Sequence, residues 1–122
     1  MSQKKIKAVL FDMDGVLFNS MPYHSEAWHN VMKSHGLTLS REEAYMHEGR
    51  TGAATINIVF QRELGREATQ EEIESIYQEK SVLFNSYTEA ERMPGAWELL
   101  QKIKNEGLVP MVVTGSGQLS LL

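Results

Sequence analysis

Val9-Leu10-Phe11-Asp12-Met13-Asp14-Gly15-Val16-Leu17-Phe18-Asn19-Ser20 is the stretch that decides the fold of this chain. The run leading into it, Lys5 to Phe11 (KIKAVLF), is short, apolar and rich in β-formers, and it stops at an Asp-x-Asp-Gly turn signal. It reads as a buried parallel strand. If the chain stays extended beyond it, Asp12 and Asp14 direct their carboxylates to one side while Met13 points to the other. The C-terminal end of a strand is also where open α/β sheets place their ligand sites. Two carboxylates held together repel, which favours a shared proton or a bound cation, and hard oxygen donors select Mg²⁺ over softer metals. A plain Asp-Gly turn carries the same signature. A calcium loop does not fit, because Val16 stands where an EF-hand needs a third acidic or Asn ligand.

Working outward, a second strand is expected at Leu108 to Val113 (LVPMVV), which also stops at a turn signal, Thr-Gly-Ser-Gly. Between the two strands the pattern is helical. Tyr23, Ala27, Trp28, Val31 and Met32 recur at helical spacing, with Pro22 in the first turn and Gly36 past the end. Ser40 to Glu43 and Thr69 to Glu72 both match a capping box and predict two further helix starts. The second of these helices carries Ile73, Ile76, Tyr77, Leu83, Phe84 and Tyr87 on one stripe. Another helix places Ala53, Ile56, Val59, Phe60 and Leu64 together before Gly65. Pro94 is expected to open a last helix with Ala96, Leu99, Leu100 and Ile103 inward, closed by Gly107. One crossover helix suffices between parallel strands, so the extra helices predict an inserted subdomain. The expected organisation is a core from residues 1–17 and 94–122 and a helical insertion at 18–93.

The chain has 122 residues, room for one domain or for a small domain with a second folded into it. Twelve Lys and Arg against sixteen Asp and Glu give a net charge of -4, with no basic cluster, which argues against nucleic acid as a partner. The lack of cysteine removes disulfides, thiolate metal sites and Cys nucleophiles, and it fits a reducing compartment; cytoplasm is the expectation. Lys4, Lys5 and Lys7 precede an apolar run that Asp12 interrupts too early for a signal peptide. No apolar segment approaches the roughly 20 residues of a membrane span, so a soluble protein without a membrane partner is expected.

The string from Val9 to Ser20 resembles the first motif of the haloacid dehalogenase superfamily, and Val112-Val113-Thr114-Gly115-Ser116 resembles its second, a strand ending in Thr or Ser. The resemblance implies an α/β Rossmann-like core, here partial, with parallel strands and an inserted helical cap. It implies Mg²⁺-dependent phosphoryl transfer in which Asp12 attacks phosphorus to form an aspartyl phosphate. Asp14 is then the general acid and later the base. The Asp12 carboxylate and the Asp14 carbonyl would bind Mg²⁺, and the Thr114 hydroxyl and Gly115 amide would hold phosphoryl oxygens. The helical block resembles the cap of the β-phosphoglucomutase-like subfamily, whose Tyr-His-x-x-Ala-Trp is close to Tyr23-His24-Ser25-Glu26-Ala27-Trp28. By that likeness His24 supports the acid/base Asp. His47-Glu48-Gly49-Arg50-Thr51-Gly52 falls where such caps carry their specificity loop, and Arg50 is a candidate for a second phosphate or sugar hydroxyls. Trp28 is expected in the core; Lys80 is expected in solvent, the alternative being that it faces the site from the cap.

Three departures bear on function. Asn19 stands where many relatives have Asp. Gly52 stands where the mutase places its loop Arg. The superfamily's third motif, a Lys, and its fourth, an acidic pair, lie beyond the second, and these 122 residues contain neither. The expected function is a phosphatase acting on a small phosphorylated metabolite, most simply a sugar phosphate. A β-phosphoglucomutase is the alternative, and a non-catalytic helical interaction module is the alternative of another class.

Overall fold

The structure, a computed structural model, describes residues 5–87 and 90–114. In chain order the elements are β1 (Ala8–Phe11), α1 (Met21–Ser34), α2 (Arg41–Met46), α3 (Gly52–Leu64), α4 (Gln70–Asn85), α5 (Ala96–Asn105) and β2 (Val109–Val112). The two strands pair in parallel, and the helices between them make this the α/β class with a helical cap. The chain divides into two compact units. One holds residues 5–20 and 90–114, the other residues 21–87. Among the described residues no helix is long and apolar enough to cross a membrane.

In the first unit β1 and β2 pair from Ala8↔Val109 to Phe11↔Val112. Both strands are shorter than the apolar runs predict, although ladder hydrogen bonds from Val109 N–H to Lys7 O and from Val113 N–H to Phe11 O flank the four paired residues. Phe11 is buried with Leu17, Ala96 and Ile103, and Val9, Leu100 and Leu108 pack on this cluster. Alternation therefore gives β1 one face covered by α5. The other face carries Leu10 and Ile6, 63% and 73% exposed, beside Val109, Met111 and Val113. The α5 helix opens at Ala96 with Gly95 as its cap, not at Pro94, which lies in the preceding turn. Leu99 is exposed, contrary to expectation, because the inward stripe follows Ala96, Leu100 and Ile103 at spacings of four and three. The outgoing and returning chains pair antiparallel at Phe18 and Arg92, with Asn19 N–H donating to Glu91 O at 2.7 Å.

The second unit is the four helices α1 to α4 around Val31, Met32, Leu37, Leu39, Ile56, Val59, Phe60 and Ile76. Trp28 is partly buried against this cluster. Thr69 and Glu72 close a full capping box at α4. Ser40 accepts from the Glu43 amide as predicted, but the Glu43 carboxylate is engaged elsewhere and the box stays half-made. On α3 the buried stripe is Thr55, Ile56, Val59 and Phe60; Ala53 and Leu64, at the helix ends, are exposed. Tyr87 lies two residues past the end of α4.

Candidate active site

β1 ends at Phe11 and the Val113 amide donates to Phe11 O at 2.8 Å, so Asp12 and Thr114 leave the same end of two neighbouring parallel strands. Such strands run about 4.8 Å apart. Asp12 is exposed and Thr114 half-buried. Gly115 lies outside the described residues. The strand's alternation does not continue through the acidic pair, because the chain bends at Met13. Met13 O accepts from Leu17 N–H at 3.0 Å and Phe18 N–H at 3.1 Å, and Gly15 N–H donates to Phe18 O at 2.8 Å. The turn requires φ of +77° at Gly15, a left-handed value that glycine adopts without strain. Asp14 is held inside it, its Oδ1 accepting from the buried Ser20 hydroxyl at 2.5 Å. Ser20 belongs to the motif string but its bond to Asp14 was not legible there, since it depends on the turn bringing residues six apart together.

Asp12 and Asp14 supply hard oxygen donors at one strand end, the donor chemistry that Mg²⁺ takes while keeping several waters. Two residues do not complete a cation site. Among the described residues no group of three or more His, Asp or Glu is placed to hold a metal ion.

In the helical unit His24 is 7% exposed, its ring stacked on Phe84 at 4.1 Å between centroids. Lys80 is 3% exposed, which overturns the expectation of a solvated lysine. Its Nζ lies 2.7 Å from His24 Nδ1 and within 5.0 Å, 5.3 Å and 6.0 Å of the Phe84, Trp28 and Tyr77 rings. An ammonium can only donate, so His24 Nδ1 accepts and the ring proton resides on Nε2. Lys80 was findable in the sequence: Ile73, Ile76, Tyr77, Lys80 and Phe84 share one helical face, and the lysine interrupts an apolar stripe.

Arg50 is exposed in the loop between α2 and α3, its amide donating to His47 O at 3.0 Å. The other guanidiniums of this unit are engaged. Arg41 bonds Glu26, Arg62 bonds Glu43 and Arg66 bonds Glu72. Hydrogen bonds from Arg41 and from Arg66 hold the Glu26 and Glu72 carboxyls down to about 2. Among the described residues no carboxylate pairs with Arg50. Gly52, the first residue of α3, lies directly under the Tyr77 ring, and a Cβ there would run into it. The position cannot carry an arginine unless Tyr77 moves.

The haloacid dehalogenase-like hydrolase family matches residues 6–121. A 6-phosphogluconate phosphatase of Escherichia coli (strain K12) is 32% identical over 114 residues, which is 93% of this chain and 49% of that protein. A solved structure described as a candidate β-phosphoglucomutase from Bacteroides vulgatus is 69% identical, with a TM-score of 0.90 over 95% of this chain and 48% of the other. CbbY from Rhodobacter sphaeroides, solved with phosphate, is 25% identical with a TM-score of 0.72 over 95% of this chain and 54% of its own. The chain thus spans about half the length of these relatives.

Proposed function

This chain belongs to the haloacid dehalogenase-like hydrolases, a family of enzymes, and from that premise we propose that it carries the nucleophile and cap of a phosphatase for a small sugar phosphate. The observation that carries this reading is the strand-end pair: Asp12 beside Thr114, with Asp14 pinned by Ser20 one turn away. An Asp12 oxygen attacks phosphorus while the leaving oxygen takes the Asp14 proton, giving an aspartyl phosphate and a free alcohol. Asp14 then accepts a proton from water, whose oxygen attacks the aspartyl phosphate and releases phosphate. The Ser20 bond keeps one Asp14 oxygen oriented through both steps. Thr114, with Gly115, donates to the phosphoryl oxygens. Mg²⁺, held by the Asp12 carboxylate and the Asp14 carbonyl, would offset the repulsion between carboxylate and phosphate. By the likeness to the family, His24 would support the acid/base Asp, and Arg50 would meet the anionic or hydroxylated end of the sugar.

Gly52 under Tyr77 supports phosphatase over mutase, since the mutase's loop Arg has no room there. The mutase reading draws support from the 69% identity to the Bacteroides protein. The experiment uses the complete gene product containing residues 1–122, supplied with 6-phosphogluconate or with β-glucose 1-phosphate and a trace of bisphosphate. Free phosphate is the expected product; glucose 6-phosphate would overturn the choice.

A further inference from the structure

The Arg50 loop begins at His47 and ends at the Thr51 cap of α3. The helix before it, α2, has six residues, too few to hold a direction in water on their own. Something must fix it against α3. Glu43 does so with one oxygen: its Oε2 accepts from Arg62 Nη1 at 2.6 Å and from His47 Nε2 at 2.9 Å. Arg62, near the far end of α3, also donates to Thr38 O in the segment before α2. His47 in turn accepts the Arg50 amide through its carbonyl. The chain of contacts runs from α3 through Glu43 and His47 to the backbone of Arg50.

The His47 ring bears this out. A carboxylate only accepts, so Nε2 carries the proton, and Nδ1 is buried without a hydrogen-bond partner among the described residues. An orphaned buried acceptor is costly, so the ring's position is set by its bond to Glu43. The Glu43 carboxyl lies below the usual range: burial pushes it up, and the bonds from Arg62 and His47 outweigh that. Engaged in this way, Glu43 is a fixed bracket for the loop.

We propose that Glu43, with Arg62 and His47, is a positioning residue that holds the Arg50 loop in its substrate-receiving form. The inference rests on the reading of Arg50 given above. It is tested in the complete gene product with E43Q, R62K, R50A and the E43Q/R50A double variant. Hydrogen exchange at the Arg50 amide should accelerate at least severalfold in E43Q and less in R62K, which keeps a charge opposite Glu43. KM for 6-phosphogluconate should rise in E43Q, by up to about tenfold for a lost bond near 1.4 kcal/mol, while kcat for p-nitrophenyl phosphate, which has no sugar to reach the loop, stays within twofold. In the R50A background E43Q should add no further rise. Unchanged exchange at Arg50 in E43Q overturns the bracket whatever the substrate. A rise in KM for R50A without one for E43Q also overturns it and leaves the Arg50 reading standing. An R50A protein with unaltered KM removes Arg50 from the site, and the bracket's functional role with it.

Discussion

Replacing Lys80 by Met takes a buried charge out of the helical unit while keeping most of the side chain's length. The losses include a 2.7 Å hydrogen bond to His24 Nδ1 and the attraction of an ammonium to three rings at 5.0–6.0 Å. At about 1 kcal/mol net for the bond and about 0.5–1 for each ring, they amount to roughly 2.5–4 kcal/mol. Against them stands the desolvation of a charge in a site 3% exposed, several kcal/mol in a protein interior. The two nearly cancel, and K80M is expected within about 1.5 kcal/mol of the parent. His24→Ala differs in kind. It removes a ring stacked on Phe84 at 4.1 Å, opens a cavity, and deprives the buried ammonium of an acceptor, for a cost of about 3 kcal/mol or more. Urea unfolding of the complete gene product measures the difference, with hydrogen exchange in α1 and α4 assigning it to this unit. If K80M proves as costly as H24A, the charge itself stabilises the cap and the reasoning fails.

Gly52→Ala should cost about 1–3 kcal/mol by forcing the Tyr77 ring aside, and the cost should fall below about 0.5 kcal/mol in a Y77L background; equal costs in both would place the obstruction elsewhere. Glu26 and Glu72 are held near 2 from an ordinary 4.5, so their stabilisation is present above about 4.5 and lost as pH falls toward 2. Thermal melts across that window should therefore flatten in an E26Q/E72Q variant. The bare sheet face of Ile6, Leu10, Val109 and Met111 predicts that residues 1–122 expressed alone aggregate or bind a hydrophobic dye. L10K with M111K should raise their solubility, measured by sedimentation, without changing helix content.

Strand positions, the helix starts at Ser40 and Thr69 and the turn at Asp14 and Gly15 were legible because each has a local cause: a β-rich apolar run, a hydroxyl three residues before a Glu, an Asp-Gly pair after a strand. Relations between distant residues were not. Glu43 reads as a capping-box partner, yet Arg62, nineteen residues on, takes its carboxylate. Lys80 reads as solvated because a lysine usually is, and only the neighbouring apolar stripe hints otherwise. Leu99 and Leu64 are apolar and exposed, since helical phase and not hydrophobicity alone decides which side chains turn inward.

The most direct test of the account compares Asp12→Asn with Asp14→Asn in the complete gene product, reading phosphate-ester turnover and the trapping of a fluoride-based phosphoryl mimic. Asp12→Asn should abolish both. Asp14→Asn should slow turnover by about 10²–10⁴-fold or more, the usual worth of acid/base help, while leaving mimic binding intact. Normal turnover by the Asp12→Asn protein would contradict the assignment of the nucleophile.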